Sequence, residues 1–265
     1  SSSEYWHRSA SLVHTDTAGG KDAALPPEVR IYTFGGSQHG PGNGLSKPRS
    51  SGQLPSNPTN FRPLLRALVK AMDAWVREGT EPPPSVYPTL ASGTLVSWEE
   101  EKSGWRALPG VAYPGVIQQP ALLERGPDFI GKRRASIEPP RVGPSYKVLV
   151  PALGPDNNEK GCLMLPAVAV PVATFTSWNL RDKSIGAPGE LLSLQGGYIP
   201  LLRDKDARTE AKDPRLSLLE RYRGFELYLE QYLAWSKRLV QERYLLEEDL
   251  PAIERGPWNR EKLFE

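Results

Sequence analysis

The stretch that decides the fold is Val29-Arg30-Ile31-Tyr32-Thr33-Phe34-Gly35-Gly36-Ser37-Gln38-His39-Gly40-Pro41-Gly42. Its first six residues are mostly β-branched and aromatic, which is typical of a β-strand. Two glycines follow, and glycine allows the backbone to bend sharply without a steric penalty from a Cβ atom. The pattern therefore predicts a strand over residues 29–34 whose end presents the imidazole of His39 in a loop.

The next element predicted is an amphipathic helix. Asn60 is a residue type that caps helices, and Pro63 suits a first turn. Apolar side chains then recur at helical spacing until Gly79, which favours a helix end: Leu64, Leu65, Leu68, Met72, Trp75 and Val76. A strand, a histidine loop and a covering helix in succession indicate an α/β architecture for residues 1–80.

Residues 85–265 have a different character. Proline and glycine are frequent throughout the chain, with 27 and 24 residues, and only 38% of the residues are hydrophobic. Such a composition predicts much irregular structure. We expect short strands at 92–96 and 111–116, a β-hairpin within 145–176, and a long C-terminal helix from Ser217 to Tyr244, followed by a short helix near 247–254. This region is predicted to be an irregular α+β extension.

Charge and cysteine content exclude several classes of protein. Lysine and arginine number 33 against 31 acidic residues, so the net charge of +2 gives no indication of a nucleic-acid partner. No apolar run approaches the length of a membrane span. The single cysteine, Cys162, excludes an internal disulfide bond, and the three histidines have no spacing typical of a zinc site. We therefore expect no cofactor and no metal.

A histidine at the end of a strand can serve as a general base when a carboxylate orients its ring. Glu4 is the first candidate for that carboxylate, and Asp16 and Asp22 are the alternatives. The nucleophile is harder to find, because the G-x-S-x-G sequence that presents a catalytic serine occurs nowhere in the chain. Ser37 lacks the correctly placed second glycine, and Cys162 lies in an apolar run typical of an inert, buried thiol.

A set of short motifs carries a resemblance to a known family. They are Ser2-Ser3-Glu4-Tyr5-Trp6, Ser11-Leu12-Val13-His14-Thr15-Asp16, Gly36-Ser37-Gln38-His39-Gly40, Asn57 to Leu68, Ser177-Trp178-Asn179-Leu180-Arg181 and Gly186-Ala187-Pro188-Gly189-Glu190-Leu191. Together they resemble the C-terminal portion of the bacterial alpha/beta hydrolase domain-containing proteins. The resemblance implies the C-terminal part of an α/β-hydrolase fold, with Glu4 in the acid position after the penultimate strand and His39 in the base position.

Two functions follow as hypotheses. In the first, the chain is the acid/base half of a serine-type, esterase-like hydrolase that acts on an ester or related acyl bond of a small molecule. A triad of this fold runs Ser, Asp/Glu, His along the chain, so the serine would precede residue 1, in a missing N-terminal half, and the chain alone would be inactive. In the second, the chain is a non-catalytic binding or scaffold module whose aromatic loops hold a partner, with Trp98, Trp105, Trp178 and Trp258 as candidates. The resemblance implies a bacterial protein, either cytoplasmic or exported.

Overall fold

The computed structural model describes residues 1–44, 51–256, 258 and 261–264. Within that part the chain is mixed α/β, with short strands and long irregular connections. The α-helices are α1 (Ser3–His7), α2 (Arg62–Glu78), α3 (Glu100–Ser103), α4 (Phe129–Lys132), α5 (Pro166–Ala169), α6 (Lys205–Glu210), α7 (Leu218–Tyr222), α8 (Phe225–Gln241) and α9 (Leu250–Glu254). Single turns of 3₁₀-helix occur at Ala10–Val13, Lys183–Ile185, Glu247–Asp249 and Glu261–Phe264.

The strands of the described residues pair in twos, and each pair is antiparallel. They are β1 (Leu95–Ser97) with β4 (Leu149–Pro151), β2 (Ala121–Glu124) with β3 (Arg141–Ser145), and β5 (Ala173–Thr176) with β6 (Gly197–Pro200). The β2–β3 pair is a hairpin whose residues are almost all exposed. The β4 and β5 strands, in contrast, are completely buried.

The predicted strand over residues 29–34 is extended but forms only isolated bridges. Tyr32 bridges Val86 and Phe34 bridges Leu163, both in parallel orientation. The run therefore lies between two neighbouring segments. Each neighbour is soon followed by a proline, Pro88 or Pro166, which has no backbone N–H to continue a ladder. This explains why a sequence with strong β character does not become a regular strand.

Helix α2 confirms the prediction of an amphipathic helix. It ends before Gly79, whose φ of 72° is the left-handed conformation that favours glycine at this position. The predicted cap differs in detail. Phe61 is the N-cap residue and makes no side-chain capping bond, while Asn60 Oδ1 accepts the backbone N–H of Arg62 at 3.2 Å.

The prediction of one long helix from Ser217 to Tyr244 is wrong. The segment forms two helices, α7 and α8, because Arg223 takes a left-handed φ of 59° and Gly224 a φ of 162° between them. The predicted capping box is confirmed at the start of α7. The Ser217 hydroxyl accepts the Glu220 N–H, and the Glu220 carboxylate accepts the N–H of Ser217. The predicted short helix near 247–254 is confirmed as a 3₁₀ turn followed by α9.

The prediction of a β-hairpin within 145–176 is also wrong. Strand β4 pairs with β1, and β5 pairs with β6, so the two halves of the expected hairpin join different partners. The turn between them is present, with Asn157 at a φ of 61°. Asn158 then bonds across to β5, since its side chain donates to the Ala173 carbonyl and accepts the Phe175 N–H. The 92–96 strand is shifted to β1, and residues 111–116 contain no strand.

Two hydrophobic clusters form the core. The larger one combines Phe34, Phe61 and Leu64 with apolar residues from 163 to 264, and the smaller one combines Tyr5 and Trp6 with residues from 95 to 180. Both clusters therefore contain side chains from 1–80 and from 85–265. The division into a hydrolase-like part and an extension stays a prediction. No helix among the described residues is long and apolar enough to cross a membrane.

Candidate active site

Glu4 lies on helix α1, the first element of the chain. The structure places it in the first turn of this short helix, and its expected position after a penultimate strand stays a prediction. The flanking Ser3, Tyr5 and Trp6 are buried and fix the helix against the core. The Glu4 side chain is 23% exposed, so its carboxylate reaches the surface from an anchored backbone.

His39 lies in the loop that the two glycines open. Gly36 has a φ of 58°, and a Cβ atom there would come within 2.9 Å of Val168. A Cβ atom on Gly35 would come within 2.7 Å of Cys162. The loop can approach the core this closely because neither residue has a side chain. The bend predicted at Gly35 and Gly36 is therefore present, and it directs the chain toward α1.

The structure brings Glu4 and His39 together, as predicted. The Nδ1 atom of His39 lies 2.5 Å from Oε1 of Glu4. A carboxylate only accepts hydrogen bonds, so Nδ1 carries the proton and donates it. Arg8 Nε lies 3.7 Å from the other oxygen of Glu4, and the backbone N–H of His39 donates to the Leu194 carbonyl at 3.2 Å. The imidazole is half exposed, and with the proton on Nδ1 its Nε2 atom can act as an acceptor.

The alternative acids are engaged elsewhere. Asp16 accepts the backbone N–H groups of Gly20 and Lys21, which closes a surface turn. Asp22 accepts the N–H groups of Leu90 and Ala91. Each carboxylate therefore stabilises a loop, and Glu4 is the acid that contacts His39.

The two sequence-level candidates for a nucleophile are not available as nucleophiles. The Ser37 hydroxyl is buried and donates to the Phe34 carbonyl at 2.6 Å, so it shapes the histidine loop. Cys162 is buried, and burial raises the pKa of its thiol well above the usual value. A thiol of this kind stays protonated and unreactive.

Sequence reasoning missed the residues whose side chains bind the backbone of the histidine loop at Gly36. Both sides of the Gly36 peptide are fixed: its N–H donates to Glu159 Oε2 at 2.7 Å, and its carbonyl accepts from Asn57 Nδ2 at 2.9 Å and Thr59 Oγ1 at 3.1 Å. The Ser177 hydroxyl donates to the other oxygen of Glu159 at 2.6 Å. Asn57 and Ser177 belong to the resembling motifs. Glu159 follows a turn and carries no signal in the sequence.

A cavity of about 400 Å³ is lined by neighbours of the Glu4–His39 pair, although neither Glu4 nor His39 lines it. Arg8, which lies against Glu4, and Leu194, which bonds to His39, both line it. Its other walls combine polar and apolar side chains: His7, Val116, Ile117, Gln118, Glu190, Leu191 and Ser193. Burial lowers the pKa of His7 to about 4 against the opposing charge of Glu4, so this second histidine is neutral at physiological pH.

The tryptophans considered for a binding function pack into the core instead. Trp105 and Trp178 are buried, with ring centroids 5.5 Å apart, and Trp258 is buried against Phe175. Trp98 is only partly buried. Buried rings are not available to a polymer or a partner. Among the described residues, no group of three or more His, Cys, Asp or Glu side chains could hold a metal ion.

A carboxylate paired with an imidazole that follows an extended run is an arrangement typical of hydrolases. The comparison with family models agrees, since residues 2–255 match the alpha/beta hydrolase domain family. The chain therefore belongs to this family. The match extends over nearly the whole chain, so it gives no support to the prediction that these residues are only the C-terminal portion of the family's domain. No curated protein and no solved structure matches the chain.

Proposed function

We propose that this chain carries the acid–base pair of a serine-type hydrolase that acts on an ester or related acyl bond. Glu4 is the acid and His39 is the base. The contact of 2.5 Å between His39 Nδ1 and Glu4 Oε1 carries the proposal. Membership in the alpha/beta hydrolase domain family supports the reaction class.

The chemistry follows from the protonation of the ring. Because Nδ1–H donates to Glu4, the lone pair of Nε2 can take the proton of a serine hydroxyl as its oxygen attacks the substrate carbonyl. Glu4 stabilises the imidazolium that forms. His39 then returns the proton to the leaving alcohol oxygen, which leaves an acyl-serine. Water repeats the sequence: His39 takes one of its protons, the acid product leaves and the serine is restored.

The serine is proposed to lie in a polypeptide segment that this sequence does not include. Two observations support this. The chain has no G-x-S-x-G sequence, and no serine of the described residues hydrogen-bonds to His39. The chain by itself is then expected to be inactive, because a triad without its nucleophile retains only the small catalysis that binding and oxyanion contacts provide.

The cavity lined by neighbours of the pair is the proposed binding site for a small-molecule ester. Four of its nine lining residues lie between 190 and 194, and three more come from 116–118, so the 85–265 extension supplies most of the wall. Its volume of about 400 Å³ falls within the range of pockets for small ligands. We infer that the extension selects the substrate while residues 1–80 supply the acid and the base.

Substitution in the full-length protein tests the proposed pair. Glu4→Gln removes the charge that stabilises the imidazolium, and His39→Gln removes the base. We expect each to lower kcat for a p-nitrophenyl ester by about 10³- to 10⁴-fold, with circular dichroism and thermal unfolding unchanged. The double variant should be no slower than the worse single one, because the two residues act as a unit.

Asp16→Asn and Asp22→Asn are matched controls, since each neutralises a carboxylate outside the pair. Both should leave kcat close to that of the unsubstituted protein. Near-normal turnover in Glu4→Gln, or a large loss in Asp16→Asn, would show that the acid has been assigned wrongly. Clear burst kinetics with the 265-residue chain alone would show that it contains a nucleophile after all.

A further inference from the structure

Glu159 is a carboxyl group buried where the mechanism above does not use it. It is 4% exposed and follows the turn that begins at Gly154. Its two oxygens face different parts of the molecule: Oε2 accepts the Gly36 N–H at 2.7 Å, and Oε1 accepts the Ser177 hydroxyl at 2.6 Å. No lysine, arginine or histidine side chain of the described residues contributes to its electrostatic environment, whereas the ammonium group of Ser1 does.

Hydrogen bonds extend from Glu159 to both segments that carry the candidate pair. The Ser177 hydroxyl donates its hydrogen bond to Glu159, so its Oγ accepts from the Ser2 hydroxyl at 2.5 Å. Ser2 Oγ in turn accepts the Ser37 N–H at 3.3 Å, and Ser37 Oγ accepts the Ser2 N–H at the same distance. Ser2 precedes Glu4 by two residues, and Ser37 precedes His39 by two.

Glu159 sets the direction of the Ser177 hydroxyl, whereas the Ser37 hydroxyl donates to the Phe34 carbonyl and the Ser2 hydroxyl also lies 3.4 Å from the Ser37 carbonyl. Burying a carboxyl group without a basic side chain beside it is costly, and a leucine of similar volume would avoid the cost. What Glu159 provides in return for this cost is a fixed position for two segments of the backbone. One side chain holds the histidine loop directly, at Gly36, and holds the start of helix α1 through Ser177 and Ser2.

We infer that Glu159 is a positioning residue, which fixes the helix of Glu4 and the loop of His39 at the separation that the Glu4–His39 hydrogen bond requires. A role of Glu159 in catalysis rests on the proposed function, in which Glu4 and His39 are the acid and the base. Glu159 touches no reacting atom. It acts on the tautomer and orientation of His39 by holding the two backbone segments in register.

The test is the tautomer of His39, measured on the full chain by long-range ¹H–¹⁵N NMR at a pH of about 8.5, where an ordinary imidazole is neutral. The chain has three histidines, and the signals lost in His39→Gln identify the ring of interest. The unsubstituted protein should show the Nδ1–H tautomer, since Nδ1 donates to Glu4. Glu4→Gln should lose that tautomer.

Three variants test Glu159 itself. Glu159→Leu keeps the volume and removes both acceptors, and it should lose the Nδ1–H tautomer as Glu4→Gln does. Glu159→Gln should retain it, because the amide oxygen can accept from Gly36 while the amide N–H donates to Ser177, whose hydroxyl then donates to Ser2. Ser177→Ala cuts one of the two links and should give an intermediate loss.

Tyr228→Phe is the control for general destabilisation, since it removes a buried hydrogen bond of 2.8 Å to the Trp258 carbonyl in the C-terminal part. It should leave the tautomer unchanged. If Glu4→Gln changes the tautomer but folded Glu159→Leu does not, the inference about Glu159 is wrong, and the assignment of Glu4 and His39 as a pair is retained. If Glu159→Leu fails to fold, an unchanged tautomer in Ser177→Ala overturns the inference. If Glu4→Gln itself has no effect, the proposed pair is wrong instead.

Discussion

His7, a partly buried histidine of the cavity wall, makes the stability of the protein depend on pH. Burial lowers its pKa from 6.5 to about 4 in the folded protein, whereas an unfolded chain restores the ordinary value. As the pH falls below about 6.5, the unfolded state takes up a proton that the folded state refuses. Acidification therefore favours unfolding, and this effect is complete only when the pH has fallen through the folded pKa of about 4.

The size of the effect follows from the shift. Each pKa unit is worth about 1.4 kcal/mol, so the full contribution of His7 is about 3 kcal/mol. Between pH 7 and pH 5, where the unfolded histidine becomes charged and the folded one stays neutral, the free energy of unfolding should fall by about 2 kcal/mol from this residue alone. For a domain of marginal stability that is a large fraction of the total.

The assay is urea unfolding at several pH values between 7 and 5, with the unsubstituted chain and His7→Gln compared at each. Glutamine stays neutral and can accept the Leu194 N–H that His7 Nδ1 accepts at 3.4 Å. Near pH 7 the free energies of unfolding of the two proteins should depend on pH almost equally. Their difference there measures the cost of the substitution alone. Below pH 6 the stability of His7→Gln should fall less steeply.

His14 is also buried and its pKa is lowered by burial, so it adds a decline of the same sign to both proteins. The difference between the two curves isolates His7. If that difference is the same at pH 7 and pH 5, His7 is not held neutral by the fold, and the reasoning from its burial fails.

Three further predictions concern the stability of the fold, all measured by urea or thermal unfolding. Leu64→Ala, at a side chain with 0% exposure, should cost about 3 kcal/mol, whereas Leu65→Ala, at 45% exposure one position on, should cost under about 1 kcal/mol; equal costs would contradict the orientation of α2. Arg215→Met should cost about 3–5 kcal/mol because it leaves a buried carboxylate and two carbonyls without their donor. Arg238→Met, which breaks an exposed ion pair, should cost less than about 1 kcal/mol, and similar losses for both arginines would refute the argument from burial. Ser217→Ala should cost about 1 kcal/mol through loss of the capping box, and no change in midpoint would show that the box contributes nothing.

The sequence by itself determined the features that depend on neighbours along the chain. The apolar spacing from Leu64 to Val76 and the glycine after it define α2, and Ser217 with Glu220 defines the cap of α7. The bend at Gly35 and Gly36 belongs to the same class. These features are local, because capping, helical spacing and left-handed φ angles are decided within a few residues.

Pairing between distant segments was decided by the tertiary structure. The run at 29–34 has the composition of a strand, yet proline-flanked neighbours limit it to two bridges. The expected hairpin within 145–176 does not form, and β4 pairs with β1 while β5 pairs with β6. The sequence of an apolar strand does not specify which other strand it pairs with.

The candidate active site divides in the same way. Glu4 and His39 could be named from the sequence because their residue types and their motifs indicate an acid and a base. Their contact of 2.5 Å depends on how α1 and the histidine loop dock on the core. Glu159 could not have been found from the sequence, because what distinguishes it is its burial against Gly36, which lies 123 residues away along the chain. Only the folded chain brings its carboxyl group to Gly36, and only there does a glutamate in a loop acquire a structural role.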